Sequence, residues 1–88
     1  MEDNIAITTK FVLNRNSPIL NVYRDLEGDW QFIGGEEMNE SDAMIVSVQN
    51  ILDHDKTVEE IVSTLQPGFS AHRTAIGGEW RIEESEEE

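Results

Sequence analysis

The sequence predicts an α+β domain: a mostly antiparallel sheet of five or six strands with one or two short helices packed on one face. Three observations predict it. Short β-branched and aromatic runs recur towards both ends of the chain, turn residues rich in glycine separate them, and one helical period occupies residues 57–65. The length fits, because 88 residues make one domain with one modest core. A chain of this size buries only about 60–65% of the surface that its unfolded form exposes.

Taken in order, Lys10 to Asn14 alternates, with Phe11 and Leu13 on one side and Val12 on the other, and reads as a first strand. The turn cluster Asn14-Arg15-Asn16-Ser17-Pro18 closes it. Ile19 to Arg24 and Trp30 to Ile33 read as a hairpin around Asp25-Leu26-Glu27-Gly28-Asp29, with Gly28 free to take a positive φ. Gly34-Gly35 ends that pair, and the polar stretch 36–42 is expected to be a surface loop. Ala43 to Val48 is nearly all apolar, which predicts a strand covered on both faces.

Ser47 to His54 suits a short helical turn with Ile51 and Leu52 facing inward. Thr57 and Glu60 have the spacing of a capping box, and Val58, Ile61, Val62 and Leu65 form one apolar stripe behind it. Pro67-Gly68 stops the helix. Phe69 to Ile76 and Glu79 to Ile82 then read as a hairpin turning on Gly77-Gly78, with Ala75 opposite Trp80 and Arg73 opposite Ile82. Phe69, Ala71, Arg73, Ala75, Trp80 and Ile82 would share one face. The domain is placed at residues 1–82, and 83–88, with five glutamates, reads as a disordered acidic tail.

The net charge is −13 from 19 acidic and six basic residues. The five tail glutamates with Glu2 and Asp3 account for seven of those charges, leaving −6 over residues 4–82. So acidic a chain is not expected to bind nucleic acid or an anionic membrane, since both use clustered Lys and Arg. The absence of cysteine excludes disulfides, thiolate metal sites and a Cys nucleophile. No secretory leader and no apolar run of membrane-spanning length is visible, so a cytoplasmic location is expected.

No constellation for catalysis stands out. The serines lack a nucleophile-elbow context, the paired glycines lack a phosphate-loop lysine, and no calcium-loop spacing occurs. Asp53-His54-Asp55 cannot easily converge on one ion, and Asp55 lies where a helix start favours an acid. His72, on a strand beside Ser70 and Thr74, has no third partner visible in sequence. The chain is therefore read as non-enzymatic, with no cofactor and no metal. Arg73 is the oddity on an apolar face. It calls for a buried ion pair, a plate such as Trp80, or a ligand.

The candidate partner-binding residues are the carboxylates Asp25, Glu27, Asp29, Glu36, Glu37, Glu40 and Asp42, in two patches at opposite ends of the sheet. Tyr23 and Trp30 are the aromatic anchors nearby, although a core this small is expected to need Trp30 and Trp80. The partner expected is another protein, with a basic toxin as the concrete case. The alternatives are a self-associating accessory or regulatory domain, dimerising through a sheet edge, and an acidic mimic of nucleic acid.

The blocks VYRD (22–25), GDWQFIGGEE (28–37), IVSVQNILDHDKTVEEI (45–61), PGFSAHR (67–73) and EWRI (79–82) resemble the immunity protein 33 family. These small acidic bacterial proteins were first catalogued as a domain of unknown function. The resemblance covers roughly residues 10–82 and rests on Tyr23-Arg24, Gly28, Trp30, the D-x-T-V-E-E-I stretch, Gly68, Ala71, Arg73 and Trp80. It implies an immunity protein that binds and blocks a cognate toxin, with none of these residues catalytic.

Overall fold

The computed structural model describes residues 5–15, 17–35 and 40–84. Six strands, β1 (Ile5–Thr9), β2 (Asn21–Arg24), β3 (Trp30–Ile33), β4 (Ala43–Ser47), β5 (Phe69–His72) and β6 (Arg81–Glu84), form one sheet in the order β4-β1-β3-β2-β5-β6. The helices are α1 (Lys10–Arg15), α2 (Val48–His54) and α3 (Glu59–Thr64), with 3-10 turns at Glu40–Asp42 and Lys56–Val58. The α+β architecture is as the sequence predicts, with three short helices. The sheet is mixed, because β1 lies parallel to β3 while every other neighbouring pair is antiparallel.

The first strand is Ile5–Thr9, and the expected strand at 10–14 is helix α1 instead. The cause is a cap. The Thr9 hydroxyl accepts from the Val12 amide at 3.2 Å, which starts a helix where simple alternation suggested a strand. β2 is shorter than expected, and β3 and the 25–29 turn fall where the sequence puts them, with Gly28 at φ 94°. β6 pairs with β5 in a register two residues from the expected one, Ala71 opposite Ile82, so residues 73–80 form a long loop. Gly77-Gly78 lies inside that loop and is not the hairpin turn. Glu83 and Glu84 belong to β6, not to a tail, and residues 85–88 lie outside the described residues.

The segment from α2 to α3 leaves β4 at one edge and returns at β5, so it carries the helices across the sheet. Its Ile51, Val58, Ile61 and Leu65 join Val12 of α1 over Ala6, Val22, Trp30, Phe32 and Ala71 in a single core cluster. These sheet residues all share one face by register, so the helices cover that face alone. Trp30 and Phe32 lie nearly parallel, 5.6 Å apart, and the full burial of Phe32 is worth about 1.5–3 kcal/mol. Trp30 is thus core and not an anchor for a partner.

Two local predictions change in the same region. α2 carries the capping box, formed by Ser47 and Asn50. At residues 55–58 the cap is Asp55, whose carboxylate accepts from the Thr57 amide at 2.9 Å, so Thr57 and Glu60 do not form the expected box. β4 is an edge strand with one face uncovered, and Ile45 is 74% exposed.

Candidate partner-binding surface

Among the described residues no helix covers the other face of the sheet, whose exposure varies from strand to strand. One row of residues crosses all six strands there, Ile45, Ile7, Gln31, Tyr23, Ser70 and Glu83, each paired with the next by register. Ile45 and Ile5, 74% and 62% exposed, make its β4–β1 side apolar. Tyr23, 36% exposed, stands in the middle, close to the turn that follows β2.

That turn is stiff. The Asp25 carboxylate accepts from the amides of Glu27 and Asp29, both at 2.9 Å. The Gly28 amide donates to the Asp25 carbonyl at 2.9 Å, and the positive φ of Gly28 completes the reversal. From the helical side, Arg24 donates to the Gly28 carbonyl at 3.4 Å and to the Leu65 carbonyl at 2.7 Å, over the Trp30 ring. Glu27 and Asp29 are exposed on a backbone already fixed, while Asp25 spends one oxygen building the turn. Arg24 belongs to the pattern behind the family resemblance but was not among the expected partner-binding residues, and its partner Leu65 lies 41 residues away.

The second expected patch does not assemble in the same way. Asp42 is buried and forms an ion pair with Lys10 at 3.4 Å, because the 3-10 turn Glu40–Asp42 points it at the first residue of α1. It is therefore not presented to a partner. Glu36 and Glu37 lie outside the described residues, as does the side chain of Glu40.

Arg73 forms a buried ion pair. Its side chain is 1% exposed, with Nη2 3.3 Å from Asp55 Oδ2, Nε donating to the Ile19 carbonyl at 3.0 Å, and the guanidinium 4.3 Å over the Trp80 ring. Burial lowers its pKa, against the raising pull of the Asp55 charge and hydrogen bond. Asp55 uses its other oxygen to cap the 3-10 turn, so one carboxylate joins the helix start to the sheet rim.

His72 has partners that the sequence did not reveal. Asn21, its register partner on β2, accepts from Nδ1 at 2.8 Å, and Ser70 Oγ lies 3.1 Å from Nε2. Asn21 Nδ2 donates to the Gly34 carbonyl at 3.1 Å, which fixes the amide orientation and hence the imidazole tautomer. Hydroxyl, imidazole and amide stand in the order of a Ser–His–Asn nucleophile arrangement. Ser70, however, is buried within the sheet, so its hydroxyl has no room for a substrate carbonyl. The imidazole and the Tyr23 ring meet edge to face with ring centres 5.6 Å apart.

An open cleft of about 410 Å3 lies beside α3, where Glu60 and Glu79 flank Trp80. A smaller one, of about 250 Å3, is lined by Ser17, His54, Asp55 and Ile76. Among the described residues no group of three or more His, Asp or Glu is placed to hold a metal ion, and no helix is long and apolar enough to cross a membrane. Comparisons with protein-family models, with curated proteins and with solved structures each return no match.

Proposed function

We propose that this chain is a non-enzymatic protein-binding module that takes a basic protein partner against Tyr23 and the acidic turn 25–29. The observation that carries the reading is the exposed Tyr23 ring, packed edge to face with His72 on the sheet face without helices, with two exposed carboxylates, Glu27 and Asp29, on a pre-set turn beside it. A rigid turn adds little ordering cost on binding, and the overall charge of −13 steers a cationic partner towards it. The buried charged groups point the same way, because Arg73 is committed to Asp55 and Asp42 to Lys10. The resemblance to the immunity protein 33 family supports the concrete case, stoichiometric blocking of a basic toxin in the cytoplasm, with no cofactor involved.

The test is capture of the partner at low salt, followed by titration of variants. Glu27→Lys with Asp29→Lys should slow association and flatten its salt dependence, and Tyr23→Ala should weaken the complex about 30-fold. Unchanged affinity and salt dependence in both variants would overturn the reading.

A further inference from the structure

The two edges of the sheet are built differently, and on one of them the described residues provide no charge, proline or bulge that keeps strands from pairing between molecules. Edge strands are ordinarily blunted by charge, proline, a bulge or a covering element. β6 has charge, with Arg81, Glu83 and Glu84 among its four residues, all exposed. β4, Ala43-Met44-Ile45-Val46-Ser47, has no charge, glycine or proline. Its register with β1 runs unbroken from Ile5 opposite Ser47 to Thr9 opposite Ala43, so there is no bulge. The acid just before it, Asp42, is buried and neutralised by Lys10. Ser47, at its end, is engaged in capping α2.

We infer that β4 pairs with β4 of a second copy of this chain, joining the two six-stranded sheets edge to edge. Charge selects the occupant. A basic partner finds no carboxylate on β4 to grip, whereas an uncharged strand accepts its own copy without setting like charges opposite each other. The chain is strongly acidic elsewhere, so β4 is where two copies can approach with least repulsion. The antiparallel register centred on Ile45 sets the two most exposed isoleucines side by side and Ala43 opposite Ser47. Tyr23 and the 25–29 turn are three strands from the junction, so a dimer leaves two copies of the proposed partner surface free.

An edge contact is small beside the roughly 1,600 Å2 of a standard interface, so a monomer–dimer equilibrium in the micromolar range is expected. Sedimentation equilibrium should show the 10.0 kDa chain passing to twice that mass as concentration rises. Added salt should tighten the dimer by screening its acidic surfaces, the opposite of its effect on a basic partner. Ile45→Lys should raise the dissociation constant about tenfold or more with an unchanged circular dichroism spectrum, and Ile82→Lys on the other edge should not. Ile45→Cys, the only thiol in the chain, should oxidise to a covalent dimer. A monomer at every concentration overturns the inference, as does a dimer that is indifferent to Ile45→Lys or equally lost in Ile82→Lys.

Discussion

The β4 edge and the β6 edge close the same sheet by different means. β4 is held by five consecutive backbone pairs to β1 and by a helix cap at its last residue. β6 is held to β5 by four pairs, behind a loop whose anchor is a side-chain latch, Arg73 between Asp55, Trp80 and the Ile19 carbonyl. The first edge is uncharged and apolar, and the second carries three charges on four residues. The difference teaches that holding an edge and shielding it are separate tasks. β6 is shielded by its own side chains but depends on a buried ion pair nearby, whereas β4 is held by backbone and left open.

The largest expected effect strikes the latch. Arg73→Ala leaves Asp55 without its cation and the Trp80 ring without the guanidinium over it, and should cost about 3–5 kcal/mol in urea unfolding. A loss under about 1 kcal/mol would erase the contrast between the edges. Asp55→Asn is the finer cut, because asparagine still caps the Thr57 amide while the charge is removed. A loss of about 2–3 kcal/mol is expected.

Burial lowers the Arg73 pKa, but the guanidinium stays charged at any pH where the fold is measured, so Arg73 itself should add no pH dependence to the urea midpoint around neutral pH. On the β4 side Ser47→Ala should cost about 1 kcal/mol through the lost cap of α2, measured in the same way. The smallest effect is Ile45→Lys, expected to change monomer stability by no more than about 0.5 kcal/mol, since its side chain meets solvent.

What the sequence made legible was local. β3, the 25–29 turn and the interior face of α3 each declare themselves within a few residues, and the structure places them as read. The errors arose where a local signal met a distant competitor. Lys10–Asn14 alternates like a strand, but the Thr9 hydroxyl had already begun a helix. Gly77-Gly78 looks like a hairpin turn, yet Arg73 draws the chain towards Asp55 and Ile19, and the reversal becomes an eight-residue loop. The apolar run of β4 reads as doubly covered because exposure of isoleucine on an open face leaves no mark in sequence. Within the candidate site, Tyr23, Glu27 and Asp29 were legible as exposed residues beside a turn. The supports from Asn21 through His72, and from Leu65 through Arg24, depend on folding together residues 51 and 41 positions apart.

The parallel pairing of β1 with β3 has a consequence for the order in which the chain assembles. β1 sits between β3 and β4, so its two neighbours are made after it. The 38 residues from Lys10 to Ser47 must be synthesised before the pairing of β1 with β4 is complete, a delay of roughly 2–8 s at ordinary translation rates. β3 and β4 run antiparallel and are close in sequence, so a direct hairpin between them competes with insertion of β1. A nascent chain that forms this hairpin first must reopen it before the N-terminal strand can enter. The first of the six strands in chain order is therefore a wedge between two strands made after it.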